Sequence, residues 1–294
     1  MKTYLECIPC FFQQALRAAE LAGATSSQKR KIINQIAKTI PTFSLNSSPP
    51  QMGKIIYSIV RNVTKKHDPY KKIKERSNQT VEKIYPLLKK KILSARDPLL
   101  MAVKLAVAGN IIDYGASTFY DIKREIKDIL RMEEHTIRKR KGARFDYKVF
   151  RRCVSEARNI LYLADNSGET FFDALLIEEI KRNNPFCSIT YAVKSSPIIN
   201  DALPEDAYRA GIDKWARVIP NGSDAPGTVL SLCSPSFREI FRKAEVIISK
   251  GQGNFESLSA ERRAIFFLFM VKCSVVSADI GLPERSIVLY YKNK

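Results

Sequence analysis

The sequence predicts an α/β protein: a mainly helical, basic domain over residues 1–157, followed by a Rossmann-like three-layer α/β/α domain over residues 158–294 with a largely parallel sheet. Two periodicities and one charge split lead to that reading. Up to about residue 157, apolar residues recur at helical spacing. Beyond it, short apolar runs alternate with helical stretches, as strands covered on both faces do. Lys+Arg exceed Asp+Glu by 16 in residues 1–147 but by only 3 in residues 148–294, so the two regions present different surfaces.

In the first region, Pro9–Ala22 reads as an amphipathic helix stopped by Gly23, and Ser26–Thr39 as a second, with Ser26 or Ser27 as its N-cap. Ser44–Gln51 is rich in Ser and Pro and reads as a connection. Helices are then expected at Met52–Thr64, Tyr70–Leu93, Pro98–Gly109, Phe119–Met132 and Tyr147–Ala157. Pro86 suggests a bend and Pro98 a helix start. In the second region the expected strands are Asn159–Ala164, Ser188–Lys194, Ala216–Pro220, Val246–Ser249, Ile265–Val271 and Ile287–Tyr291. Helices are expected between them at Thr170–Asn183, Leu203–Ala210, Thr228–Leu232 and Pro235–Lys243.

Composition narrows the function classes. The first residues lack the apolar stretch of a signal peptide, and the longest strongly apolar run, Ala264–Val271, is too short to span a bilayer. A cytoplasmic protein without a membrane partner is expected. The basic runs Lys65–Arg76, Lys89–Lys91 and Arg138–Arg144 could attract nucleic acid, but no recognition motif accompanies them, which favours a solvated helix surface. Of six cysteines, Cys153, Cys187, Cys233 and Cys273 stand alone in apolar surroundings and read as reduced thiols. Cys7-Ile8-Pro9-Cys10 is a CxxC pair open to redox, disulfide or half-zinc-site readings. A closed zinc site is disfavoured, because no second CxxC exists and His67 and His135 are the only histidines.

The chemistry concentrates where apolar runs end. Asp165-Asn166-Ser167-Gly168-Glu169 follows the first strand, and Lys250-Gly251-Gln252-Gly253-Asn254-Phe255-Glu256 follows the fourth. In open α/β sheets, ligands bind beyond these carboxyl ends. The Asp165 carboxylate and the Asn166 carbonyl are hard oxygen donors suited to Mg²⁺ or Mn²⁺, although the same residues could simply cap the next helix. Asp201, in Asn200-Asp201-Ala202-Leu203-Pro204-Glu205-Asp206, reads locally as a cap. Convergence of strand ends would make it a third oxygen ligand. Lys250 beside two glycines could place an ammonium and backbone amides around a phosphate. Neither a Walker A loop nor a dinucleotide fingerprint is present. In Ala106–Asp113, Asn110 and Asp113 would share a helix face within an apolar stretch.

Taken in order, Cys7-Ile-Pro-Cys10, Gly109-Asn-Ile-Ile-Asp113, Asp165-Asn-Ser-Gly-Glu169, Asn200-Asp-Ala-Leu-Pro-Glu-Asp206 and Lys250-Gly-Gln-Gly-Asn-Phe-Glu256 resemble the motifs of the damage-control phosphatases, in the prokaryotic, archaeal-type form of the CxxC-bearing subfamily I. The resemblance spans nearly the whole chain. It implies a metal-dependent phosphatase of small phosphorylated metabolites such as sugar phosphates and nucleotides. The ion would be Mn²⁺, Ni²⁺, Co²⁺ or Mg²⁺, held by Asp165, Asn166 and Asp201. It also implies that Lys250 contacts the phosphoryl group; a lysine acting only on phosphate charge should be replaceable with the fold nearly intact. Asp165 could be a nucleophile or only a ligand. Asn110, Asp113, Glu169, Asn254 and Glu256 are the expected substrate binders, while Cys7 and Cys10 mark the subfamily. A Rossmann-like methyltransferase fits less well, because the first loop is not glycine-rich and the second strand ends in Lys194. A non-catalytic RNA-binding protein would rest on the basic first half alone.

Overall fold

The computed structural model describes residues 1–109 and 144–293; Asn110, Asp113 and the expected helix Phe119–Met132 lie outside the described residues. The chain opens with α1 (Cys7–Leu21), α2 (Ser26–Thr39) and α3 (Pro49–Thr64). The N-cap of α2 is Thr25, one residue before the expected serines. Its Oγ1 accepts from Gln28 N at 3.2 Å while Gln28 Oε1 accepts from Thr25 N at 2.9 Å, a reciprocal capping box. The expected connection at 44–51 ends early. Pro49 and Pro50 form the first turn of α3, where a missing N–H costs nothing. These three helices enclose a separate apolar cluster containing Phe11, Ile32, Ile36, Met52, Ile56 and Val60.

Helix α4 (Lys71–Leu93) includes Pro86 and is followed by α5 (Pro98–Gly109) and α6 (Tyr147–Glu156). Although they precede residue 158, α4, α5 and α6 belong to the cluster on one face of the sheet. Val81, Leu88, Val103, Ala106 and Phe150 pack there with Ile160, Tyr162 and Ile248.

Strands β1 (Asn159–Leu163), β2 (Ser188–Val193), β3 (Arg217–Pro220), β4 (Val246–Lys250), β5 (Ile265–Met270) and β6 (Ile287–Lys292) form one sheet in the order β3-β2-β1-β4-β5-β6. The first five are parallel and β6 closes the edge antiparallel to β5. Between them run α7 (Thr170–Asn183), α8 (Pro204–Arg209), α9 (Pro235–Lys243), α10 (Gln252–Leu258) and α11 (Ser274–Ile280). The expected helix at Thr228–Leu232 is a single 3₁₀ turn, Leu230–Leu232. Side-chain alternation along β1 explains the layering: Ile160 and Tyr162 join the cluster with α5 and α7, whereas Leu161 and Leu163 join the opposite one with Phe237, Phe255 and Val276. Strand order reverses between β1 and β4, the switch point that leaves a crevice at the strand ends. Among the described residues, no helix is long and apolar enough to cross a membrane.

Candidate active site

The crevice at the switch point opens into a cavity of about 610 Å³. Its floor comes from the sheet: Asp165 and Asn166 after β1, Asp201 after β2, and Gln252 and Glu256 on α10. The helical bundle supplies the opposite wall, with Phe11, Gln14, Tyr57, Tyr70 and Ile73.

Backbone pairing draws the candidate ligands together. Asn166 and Asp201 form an isolated antiparallel bridge. Ala202 N donates to Asp165 O at 2.8 Å and Ser167 N to Asn200 O at 2.9 Å, so the segments that follow β1 and β2 are locked side by side. Asn166 Nδ2 donates to Asp165 Oδ2 (2.9 Å) and to Glu169 Oε1 (2.7 Å). With its nitrogen so committed, the amide oxygen is the Asn166 atom left for an incoming ion. On the other side of Asp165 lies Gly251 at φ +82°, where a Cβ would fall 2.0 Å from Asp165 Oδ2. Only glycine permits this approach.

Electrostatics favour a cation here. Burial, and then the neighbouring Glu169 and Asp201 charges, push the Asp165 carboxyl well above the usual carboxylate range. Burial raises Asp201 to about 6 against the opposing pull of Lys194, whose Nζ lies 3.5 Å from Asp201 Oδ2. Crowded carboxylates in a desolvated cleft are what a divalent ion relieves, and two carboxylates with an amide oxygen form a hard, open donor set. The residues present fit such an ion. Among the described residues, no group of three or more His, Cys, Asp and Glu side chains is arranged to hold one without the amide.

Several expected residues sit beneath the cavity rather than in it. Lys250 is wholly buried, and its Nζ donates to Glu169 Oε2 at 3.0 Å and to Asp173 Oδ1 at 2.9 Å. Burial acts to lower its pKa, but Asp173 and Glu169 outweigh that and hold the ammonium above the ordinary lysine value. Asp173 also accepts from the Tyr162 hydroxyl at 2.7 Å and the Tyr191 hydroxyl at 2.8 Å. Lys250 therefore does not reach the cavity as expected: two inward carboxylates capture it at the end of β4. Glu169 and Asn254 are likewise below the floor. Asn254 Nδ2 donates to Ala164 O (2.9 Å) and Lys250 O (2.7 Å), while its Oδ1 accepts from Thr228 Oγ1 at 2.7 Å. This strut ties the ends of β1 and β4 together. Of the expected substrate binders among the described residues, Glu256 alone lines the cavity.

Sequence reasoning missed three cations on the wall and rim. Arg17 on α1, Lys272 after β5 and Arg285 before β6 line the cavity, each with an exposed side chain. Arg285 adopts a left-handed backbone (φ 63°), which costs a non-glycine residue of order 1 kcal/mol or more. Arg285 N donates to Val271 O at 2.7 Å and Val271 N to Ser286 O at 3.0 Å, and this pairing brings Arg285 alongside Lys272. Cys7 and Cys10 fall in the first turn of α1 and do not line the cavity. Gln14 Nε2 donates to Cys10 Sγ at 3.1 Å, and the Tyr57 hydroxyl donates to Gln14 Oε1 at 3.3 Å, linking the pair to the wall.

Against known proteins, residues 3–288 match the family described as the Damage-control phosphatase ARMT1-like domain. The chain is 35% identical over 291 residues to "Damage-control phosphatase PH1575" of Pyrococcus horikoshii, covering 98% of this chain and 97% of that protein. It is 30% identical over 292 residues to a "Damage-control phosphatase" of Archaeoglobus fulgidus, covering 98% of each. The crystal structure of the P. horikoshii protein, titled a DUF89 family protein, superposes with a TM-score of 0.90 at 34% identity over the full length of both chains.

Proposed function

Because the chain belongs to the damage-control phosphatase ARMT1-like family, we propose that it is a metal-dependent phosphatase that removes phosphate from small phosphorylated metabolites, sugar phosphates or nucleotides among them. The observation that carries the reading is the Asn166–Asp201 bridge, which gathers Asp165, Asn166 and Asp201 at the floor of the cavity at the switch point. These three would hold Mn²⁺, Ni²⁺, Co²⁺ or Mg²⁺. A bound ion would supply Lewis acidity and charge neutralisation beside the phosphoryl group.

The chain's own residues supply the rest. Lys272 and Arg285, exposed on one rim, bind the phosphoryl oxygens and stabilise their charge as the phosphorus–oxygen bond breaks. Lys250 acts at one remove. It fixes Glu169, and Glu169 fixes the Asn166 amide nitrogen, leaving the amide oxygen as the donor that would hold an ion. Phe11, Tyr57, Tyr70 and Ile73 form a wall that excludes water and takes the leaving group. Arg17 extends the anion-attracting surface across the cavity. The test is hydrolysis of p-nitrophenyl phosphate after EDTA treatment and after return of each of the four ions, followed by a screen over sugar phosphates and nucleotides. Activity that vanishes with EDTA and returns with metal supports the reading; activity untouched by EDTA overturns the metal dependence.

A further inference from the structure

We propose that Glu256 is the general acid that protonates the leaving-group oxygen, which suits this site to phosphate monoesters of alcohols. The inference rests on the phosphatase reading and deepens it.

Hydrolysis of an alkyl phosphate breaks the bond between phosphorus and the ester oxygen and leaves that oxygen with the electron pair. An alkoxide is a poor leaving group, so a proton must arrive as the bond breaks. The donor must border the cavity and lie near the floor without itself holding the ion. Asp165 and Asp201 are committed to the cation. Tyr57 and Tyr70 also line the cavity, but burial raises both hydroxyls above the ordinary tyrosine value, too weakly acidic for the task at neutral pH. Glu256 is the cavity's remaining carboxyl among the described residues.

Its position suits the role. Helix α10 starts from Gly251, which packs against the Asp165 carboxylate, and Gln252, Gly253 and Glu256 on one face of that helix line the cavity. Glu256 is one turn further on, about 6 Å along the axis from Gln252, and lines the cavity floor with it. Gln252 fixes it: its Nε2 donates to Glu256 Oε1 at 2.8 Å, and its Oε1 accepts from Lys272 N at 2.9 Å. Glu256 Oε2 has no hydrogen-bond partner among the described residues. The charged and titratable groups around the carboxyl are the Met1 amino group, Lys272 and the Cys7 thiol, with Asp165 and Asp201 lining the same cavity. Burial pushes Glu256 up to about 7 despite the opposing pull of Gln252, the amino group and Lys272. The carboxyl is thus part-protonated at neutral pH, the state a proton donor needs.

In the step itself, a water oxygen bonds to phosphorus, the ester oxygen departs with its electron pair, and the Glu256 proton converts it to the alcohol. The proton shed by the water restores the carboxyl, leaving alcohol and inorganic phosphate.

The experiment compares two substrates on the metal-loaded full chain. Glycerol 3-phosphate leaves as an alkoxide and needs the proton; p-nitrophenyl phosphate leaves as a stabilised phenolate and does not. Glu256→Gln keeps the bond from Gln252 and should lower kcat on glycerol 3-phosphate about 100-fold or more, a far larger loss than on p-nitrophenyl phosphate. In the wild type, kcat on glycerol 3-phosphate should fall as pH rises through the Glu256 ionisation, and the p-nitrophenyl phosphate profile should lack that limb. The wild-type profiles test the idea even if the variant folds poorly. Equal loss on both substrates, no loss on either, or identical wild-type pH profiles would overturn the assignment. Failure of the wild type to hydrolyse either substrate would instead overturn the phosphatase reading beneath it.

Discussion

Replacing Lys250 with methionine tests where the structure places that ammonium. Its Nζ is fully enclosed between Glu169 Oε2 at 3.0 Å and Asp173 Oδ1 at 2.9 Å, and both carboxylates are almost wholly buried. Methionine keeps most of the stem's volume but leaves two buried acids without their shared cation. Removing one partner of a buried ion pair costs about 3–5 kcal/mol. The loss should not double, because Asp173 keeps two tyrosine hydroxyls and Glu169 keeps the Asn166 amide. At about 2–4 °C per kcal/mol for a chain of this size, the metal-free protein should melt about 6–20 °C lower. Circular dichroism melts in EDTA at pH 7 give the shift, and turnover at 25 °C is measured alongside. Adding Glu169→Gln and Asp173→Asn removes the unpaired charges and should recover a good part of the melting loss. If Lys250→Met melts within about 2 °C of the wild type yet loses turnover, the lysine acts on phosphate directly and the buried-network account fails.

Other outcomes follow from the same geometry. Gly251→Ala forces a Cβ to within 2.0 Å of the Asp165 carboxylate at φ +82°, so it should displace Asp165 and abolish turnover, with a stability cost of about 1–3 kcal/mol in thermal melts. Glu256 ionises at about 7 in the folded chain against 4.5 for an ordinary glutamate, so the folded state binds the proton more tightly. Its contribution to stability is therefore lost as pH rises from about 4.5 to 7, and denaturant titrations of Glu256→Gln should show a flatter pH dependence across that window. Cys7→Ser with Cys10→Ser should keep appreciable p-nitrophenyl phosphatase activity, since neither thiol lines the cavity; loss of activity in a folded double variant would give the pair a part in catalysis or metal supply.

Much of this was legible from residue order. An apolar run that stops at an acid or lysine beside glycine marks a parallel strand end, so β1 and β4 could be placed with the Asp165 and Lys250 motifs at their tips. Asp201 could be assigned to the site only through that convergence, since its own surroundings read as a helix cap; the structure brings it beside Asp165 and Asn166. Lys250 was expected at the cavity because a strand-end lysine looks the same whether it turns toward the cavity or into the core; the structure turns it into the core, onto Glu169 and Asp173. The missed signal was Asp173, four residues after Glu169 at the start of a run as apolar as Phe171–Ile180, where two buried acids need a cation. Helices α10 and α11 have seven residues each, too few to show a period. The cavity wall from α1, α3 and α4 lies some 90 residues or more before Asp165 in sequence, so no local pattern could pair them. Pro86 lies inside α4, whose Val81, Ile84, Leu88 and Ile92 are buried in the core cluster and hold both halves of the helix against the sheet.

The most direct test of a metal-dependent site at the β1–β4 crevice is calorimetric titration of Mn²⁺ into EDTA-treated, dialysed protein, with p-nitrophenyl phosphate turnover followed at each addition. The wild type should bind a single ion, with turnover rising in step with occupancy. Asp165→Ala, which leaves only Asn166 and Asp201 as donors, should show neither saturable binding nor turnover. Full turnover in the metal-free wild type, or undiminished binding by Asp165→Ala, would contradict the account.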